Sequence, residues 1–468
     1  MSRVREQTSG RAPHIHSRSA LVALLWFACG IAHADGAIDA WARWAVTPKV
    51  WKGQTVRAPD PEPRPEARSV RVDAVGLPLH VHMPVPATDL HRAAVRALHQ
   101  LRALEAAFST WHELGWPGVP FDGGQGGDIG FDLYVVPHER CADACSGSDG
   151  LDPLRDFDAA QTYALLAADL PDSSVDACTL RAVAQAALRA QDPAEAESWV
   201  RASAELLTWQ YGPAACDSQQ ADHAQGSPEL GLLNADPASA NAGVLWLAVE
   251  SERLGHEPAA FVRSLWESTR QRSKDLVPPD RLRGSPDLWE VLRQMLLAQH
   301  RQLDDELIEF GVARYFTGPD ARRAQASYRS LAALPDTASV PLARELRSGQ
   351  LPSHIRDTPA LRELGSAYVR VQLAEPHPPE QLKLWLHGEL GPRWSLTAVR
   401  LDAAGREAGR VSTPARSLPS SYLPVALSAE TRTVLVVVTL LPRLPTDVPD
   451  ADVRNDTRHG FELIVAAE

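Results

Sequence analysis

Past residue 68 the chain changes its apolar pattern twice, and each pattern predicts a different kind of structure. Residues 69–83 alternate apolar and polar positions around Gly76, as two strands joined by a turn would. Residues 89–112 place Val95, Leu98, Leu101, Leu104 and Phe108 three or four apart, which predicts a helix. A glycine-rich turn follows at 122–128, and 131–136 reads as a short buried strand. From Asp176 the periodicity is helical, in segments near 178–190, 194–210, 241–254, 258–272, 286–300 and 302–315. The breaks between them are Gly212-Pro213, Gly255, Pro278-Pro279 and Gly284. After Gly318 strand-like runs take over at 368–374, 382–387, 394–401, 422–427, 433–440 and 461–466, separated by turns such as Asp402-Ala403-Ala404-Gly405. Six such runs predict a β-sandwich of roughly a hundred residues. The expected class is α+β: a small N-terminal sheet with a mainly helical region, then a C-terminal antiparallel β-sandwich.

Ahead of these elements, residues 35–68 are interrupted by Pro59, Pro61, Pro63 and Pro65, too often for a helix or a central strand. Further upstream, Arg3, Arg5, Arg11 and Arg18 precede an apolar run at 20–31 that ends in Ala32-His33-Ala34. That is the layout of a secretory signal peptide over 1–34, and it places the mature chain outside the cytoplasm, in the periplasm or the medium. Cys29 leaves with the signal, because Trp26 and Phe27 are too bulky for a lipidation site. The run is too short to span a bilayer, and no later stretch of about twenty apolar residues provides a transmembrane anchor. Losing four Arg and one Glu takes the formal charge from −12 to −15, which excludes nucleic acid as a partner. The 434 residues that remain exceed what one core usually serves. The expected division is a Pro-rich lead-in at 35–68, a first domain at 69–320, a linker at 321–357 and the sandwich at 358–468.

Four cysteines survive, Cys141, Cys145, Cys178 and Cys216, an even number in a chain bound for an oxidising compartment. Of three possible pairings we favour Cys141 with Cys145, neighbours in one loop-like stretch, and Cys178 with Cys216. A zinc site is the rival reading and is weaker, since no histidine stands beside them at ligand spacing.

In order, His80-Val-His-Met, a long helix ending in Leu114-Gly115-Trp116-Pro117, Pro120-Phe-Asp122 with its glycines, and Asp132-Leu-Tyr134-Val-Val form a recognisable opening. It resembles that of secreted zinc metallopeptidases of the myxobacterial type, which are zincins. The resemblance spans about 70–468 and includes the phrase Phe310 to Gly318 ahead of the sandwich. It implies a helix reading His-Glu-x-x-His-x-x-Gln and a second helix, with a Trp-x-x-Glu segment, that supplies the third zinc ligand. Two His four apart on a helix reach one Zn²⁺, and the adjacent Glu takes a proton from the metal-bound water.

The zinc helix is where this chain departs. Matching the family's Gln to Gln185 puts Cys178 and Ala182 at the histidine positions and Thr179 at the glutamate; matching Trp199 puts Ala202 at the third ligand. His112-Glu113, His138-Glu139 and His256-Glu257 are followed at the fourth position by Trp116, Ala142 and Ala260, so no His-Glu-x-x-His exists in the chain. The expectation is a degenerate, catalytically inactive relative with no catalytic residue, metal or cofactor, acting by binding a peptide or a cell-surface ligand. One alternative is an active peptidase drawing unusual ligands from His80, His82, His138, Glu205 or Cys178, although a His pair on a strand is more often simply packed or solvated, and Glu205 reads as an exposed helical residue.

Other chemistry is thinner. Ser146, Ser148, Ser173 and Ser174 read as loop residues without a Gly-x-Ser-x-Gly elbow, so a serine hydrolase is not indicated. Asp304-Asp305-Glu306 reads as a solvated helix face. Asp122 to Asp128, and the stretch with Asp447, Asp450, Asp452 and Asp456, read as plain turn and loop before they read as calcium sites. Trp199, Trp246, Trp266 and Trp289 fall on apolar helix faces and are expected in the core. Trp385 and Trp394, if exposed together, would support the second alternative, an adhesion or carbohydrate-binding protein acting through the sandwich.

Overall fold

In a computed structural model the described residues are 55–57, 61–62, 64–65, 69–84, 90–117, 124, 129–152, 155, 157, 159–213, 216, 224–232, 237–270, 281–283, 286–326, 328–335, 338–373, 379–414, 420–442 and 457–468. The expected signal peptide, most of the lead-in, both candidate calcium stretches apart from Gly124, and the Pro278-Pro279 break lie outside them.

The first strand, β1 (Thr55–Arg57), pairs antiparallel with β7 (Arg281–Arg283). The alternation at 69–83 is a hairpin of β2 (Ser69–Asp73) and β3 (Leu79–Pro84). Gly76 takes its turn at φ +85°, a conformation that costs glycine nothing. The chain then forms α1 (Leu90–Glu113), β4 (Phe131–Val136), β5 (Ala144–Leu151) and β6 (Ala160–Ala167). The sheet runs β2-β3-β4-β6-β5, parallel at its centre, with antiparallel strands β2 and β5 at its edges. Ser146 and Ser148 are thus strand residues.

The face of α1 differs from the expected stripe. Ala93, Ala97, Leu101, Leu104, Ala107 and Trp111 are buried, whereas Val95 and Leu98 are half exposed. Alanines let a helix lie close to its neighbours, so in the first half of α1 the small residues Ala93 and Ala97 mark the packed side and Val95 and Leu98 do not, while Leu101 and Leu104 pack as expected.

β6 leads into α2 (Val175–Gln191) and then α3 (Glu197–Tyr211), α4 (Pro237–Arg253), α5 (Pro258–Thr269), α6 (Leu288–Ala298) and α7 (Leu303–Ala313), close to the six segments read from periodicity. Trp199, Trp246, Trp266 and Trp289 are all fully buried among them. Trp199 meets Trp289 edge-on at 5.1 Å, and Trp246 meets Phe310 edge-on at 5.4 Å. α6 opens with a reciprocal cap in which Asp287 accepts from the Glu290 N–H and Glu290 from the Asp287 N–H. No helix among the described residues is long and apolar enough to cross a membrane.

The stretch expected as a linker, 321–357, carries structure instead: α8 (Arg329–Ala332), β8 (Arg344–Arg347) and β9 (Ser353–Ile355). The last two are sandwich strands. They escape a periodicity reading because they are three or four residues long, and β8 is mostly charged and exposed, as edge strands tend to be. The remaining strands are β10 (Ser366–Gln372), β11 (Gln381–Gly388), β12 (Arg393–Leu401), β13 (Glu407–Ser412), β14 (Ser420–Ala426), β15 (Thr433–Leu441) and β16 (Phe461–Ala467). They make two sheets, β13-β12-β15-β10-β8 and β14-β11-β16-β9, antiparallel except where β8 joins β10.

β15 is apolar almost throughout because it is covered on both faces. Val434, Val436, Val438 and Leu440 enter the core between the sheets. Leu435 and Val437 pack on the other side with Val312 of α7 and Phe316 just beyond it. The approach of α7 depends on Gly311, where an added Cβ would stand 3.0 Å from both Ser366 Oγ and Thr439 Oγ1. The Tyr368 hydroxyl donates to the Gly311 carbonyl at 2.7 Å. The α+β class and its C-terminal β-sandwich are therefore as expected from the sequence.

Candidate functional site

Two polar clusters lie on opposite faces of the N-terminal sheet, one reaching Asp143 just before β5 and the other Asp149 within it. The first involves the helices that the resemblance singles out. Cys178, Thr179, Ala182 and Ala202 are all fully buried in α2 and α3. Cys178 is joined to Cys216, with Cα atoms 4.7 Å apart, which ties α2 to the segment beyond α3. Cys141 is joined to Cys145 just ahead of and within β5. These are the two pairs favoured above. The Thr179 hydroxyl is buried and meets no hydrogen-bond partner among the described residues.

Beside these positions stands Arg181, itself buried. Its guanidinium donates to Glu205 Oε2 of α3 at 2.8 Å and pairs with Asp143, just before β5. Burial alone would pull the guanidinium down; the charges of Glu205 and Asp143 outweigh it and hold the group above the ordinary arginine value. Glu205, expected as an exposed helical residue, is 2% exposed. Its helical position was legible, but its partner is 24 residues away and gave no local signal.

A zinc ion does not fit this donor set. Ala182 and Ala202 offer no ligand atom, the Cys178 sulfur is spent in a disulfide, and the Glu205 carboxylate is bound to a guanidinium. Nor do the unusual ligands converge. His80 Nδ1 lies 2.7 Å from Asp73 Oδ1, and Arg71 bridges the same two residues. The hydrogen bond from Arg71 holds the Asp73 carboxyl below its ordinary range, against a smaller opposing effect of burial. His82 Nε2 lies 2.6 Å from a different carboxylate, Asp132 Oδ1, and His138 is exposed beside Asp169. Among the described residues no group of three or more His, Cys, Asp or Glu is placed to hold a metal ion.

The second cluster occupies the other face. Strand alternation puts His80, His82, Asp132 and Tyr134 on one side of β3 and β4, with His80 opposite Asp132 and His82 opposite Tyr134. Tyr163 of β6 and Cys141 join that side in a small apolar group with Tyr134. The neighbouring Thr162 points the other way and donates to the Ala186 carbonyl of α2 at 2.9 Å. Tyr163 can lie across β5 because residue 147 is glycine: a Cβ there would stand 2.2 Å from the ring. Asp149 is the extra residue where the register of β5 slips between Ser148 and Gly150.

Into this setting comes Arg64 from the Pro-rich lead-in. It donates from Nε to Asp149 Oδ1 at 2.9 Å, and from Nη1 to Asp132 Oδ2 at 2.5 Å and to the Tyr134 hydroxyl at 2.8 Å; Nη2 pairs with the second Asp149 oxygen. Its Cζ stands 4.9 Å from the centre of the Tyr163 ring. Burial works against its charge, but the hydrogen bond and charge of Asp149 and the neighbouring Tyr134 oxygen leave it above the ordinary arginine value. His82 stacks on Tyr134 at 4.4 Å while holding Asp132. Sequence pattern marks out the two histidines as candidates but not Arg64, Asp132 or Asp149. The partners lie 68 and 85 residues apart, which no local pattern reports.

In the sandwich, Trp394 is buried against Phe461, whereas Trp385 lies on the outer face beside Tyr422 at 5.3 Å. The two tryptophans therefore do not form a joint exposed platform. Asp304-Asp305-Glu306 is not a plain solvated face either: Glu306 is buried on Arg253 and Arg301, and Asp304 receives Arg393.

No protein-family model matches the chain, and no curated protein matches it. Among solved structures it is similar to the enzymatically active domain of tailspike protein 4 from bacteriophage CBA120, at 8% identity and TM-score 0.17, over 24% of this chain and 15% of that one. It is also similar to a glycoside hydrolase family 43 arabinoxylan arabinofuranohydrolase from Bacillus subtilis, at 11% identity and TM-score 0.16, over 28% and 30%. The chain spans less than a third of either, and likenesses at this level bear on neither fold nor function.

Proposed function

We propose that the protein is an exported, catalytically inactive relative of the secreted zinc metallopeptidases its sequence resembles, and that it acts by binding a peptide or a cell-surface component. The observation that carries this reading is Arg181. At the junction of α2, α3 and β5 the cation is a guanidinium held by Glu205 and Asp143. Around it the ligand positions are Cys178, closed in a disulfide, and two alanines. Without a metal-bound water, and with Thr179 at the position of the general base, the site has neither nucleophile nor base. The order of elements agrees with the resemblance, since β6 runs into α2 and α2 into α3. Two disulfides agree with export to an oxidising compartment.

The test is elemental analysis of the mature protein purified without chelator, with a free-thiol count and a peptidase assay on denatured casein. The expected result is no zinc, no free thiol and no cleavage. Stoichiometric zinc together with cleavage that a chelator abolishes would overturn the reading.

A further inference from the structure

The cage around Arg64 is built like a recognition site. Two carboxylates with almost no solvent exposure, Asp132 and Asp149, grip one guanidinium, with Asp149 engaging it through both oxygens. Tyr134 adds a hydroxyl and Tyr163 a ring face. Bidentate carboxylate pairing and stacking on an aromatic face together distinguish arginine from lysine. Three of the walls, Asp132, Tyr134 and Tyr163, are positioned by contacts that do not involve Arg64: His82 orients Asp132 and stacks on Tyr134, and Gly147 leaves room for the Tyr163 ring.

The occupant belongs to a short Pro-rich run, whose Glu62 carboxylate also faces Arg189 at 3.5 Å. In the run 61–65 every second residue is proline, so only Glu62 and Arg64 have a backbone N–H to give. The Glu62 N–H donates to the Ser148 carbonyl of β5 at 2.8 Å, and the Tyr163 hydroxyl donates to the Glu62 carbonyl at 3.3 Å. The main grip is the Arg64 side chain. A Pro-x-Pro-x-Pro run is already extended when free, so docking it costs little chain entropy.

We propose that this cage is a docking site for an arginine-bearing extended segment of a partner protein, and that Arg64 is a built-in occupant which such a segment displaces. The proposal does not depend on the peptidase reading. The tethered Arg64 acts as a competitor at an effective concentration on the order of millimolar, so it weakens a partner segment without abolishing binding.

The test uses the full mature chain and a fluorescent peptide with the sequence of residues 60–66, alongside the same peptide with Ala in place of Arg. Fluorescence anisotropy is expected to show Arg64→Ala binding the arginine peptide at least tenfold tighter than the natural chain does. The Ala peptide should not bind, and Arg64→Ala with Asp149→Asn should lose binding. Arg64→Lys, which keeps the charge but not the bidentate fork, should fall between the natural chain and Arg64→Ala and serves as the readout if Arg64→Ala does not fold. Folded variants that bind neither peptide, or both alike, would overturn the proposal and leave the cage a fixed internal ion cluster. A dimer of the natural chain in sedimentation that Arg64→Ala abolishes would also overturn it, by assigning the cage to a second copy.

Discussion

The two disulfides close loops of very different length, so removing them one at a time should give losses of very different size. Cys178 and Cys216 are 38 residues apart and Cys141 and Cys145 only 4. If cross-links act mainly by restricting the unfolded chain, these lengths correspond to about 4 kcal/mol for the first and about 2 kcal/mol for the second. The perturbations are Cys178→Ala with Cys216→Ala, and Cys141→Ala with Cys145→Ala. Urea unfolding followed by tryptophan fluorescence reads the helical region through Trp199 and Trp289, which are in contact there. The first pair of substitutions should lower stability by roughly twice as much as the second, and should raise the urea dependence because the freed unfolded chain exposes more surface. Equal losses, or a larger loss from the short loop, would refute the loop-entropy argument. The stabilisation would then have to come from native packing around the fully buried Cys178.

Glu205→Ala leaves the buried Arg181 without one of its two carboxylates and should cost about 3–5 kcal/mol in urea unfolding, with Arg181→Met in the same chain recovering part of it. A loss below about 1 kcal/mol would mean that the pair is hydrated and offers no lock. Glu250 is fully buried in α4, and burial, reinforced by the Glu306 charge, pushes its carboxyl up to about 8. Because the folded chain keeps this proton longer than the unfolded chain does, stability should fall as pH rises from about 4.5 to about 8, by up to about 5 kcal/mol, and then level off. Glu250→Gln should flatten that part of the stability profile, and an unchanged slope in stability measured across it would sink the assignment.

What could be read from the sequence follows the length and regularity of each signal. Six helices and six sandwich strands repeat their period often enough to be placed within a few residues, and Trp199, Trp246, Trp266 and Trp289 fall in the helical core as expected. β8, β9 and β13 were missed: β8 and β9 are very short, β13 is polar, and all three sit at sheet edges. Only the first half of the buried face of α1 departs from the expected stripe, because the alanines that pack there carry little hydrophobic weight. The polar chemistry was hardest to read. Glu205 and Glu306 look like ordinary surface residues in sequence, and arginines outside their own helices, Arg181 for the first and Arg253 and Arg301 for the second, account for their burial.

Arg181 and Arg64 also account for a difficulty in β5. Its sequence, Ala-Cys-Ser-Gly-Ser-Asp-Gly-Leu, has two glycines, a bulge and little apolar alternation, so hydrophobic pattern alone would specify its register weakly. Asp143, just before it, reaches Arg181 on the helical side; Asp149, in the bulge, reaches Arg64 on the other. A slip of one residue would turn Asp149 away from the face on which Arg64 waits and would move Asp143 along the sheet from Arg181. Buried ion pairs often add little net stability, because desolvating both partners offsets their attraction. Their contribution here is to select one register of an edge strand that its own side chains would leave loosely defined. The Glu62 N–H on the Ser148 carbonyl also uses part of that strand's edge, which would otherwise be open to pairing with another chain.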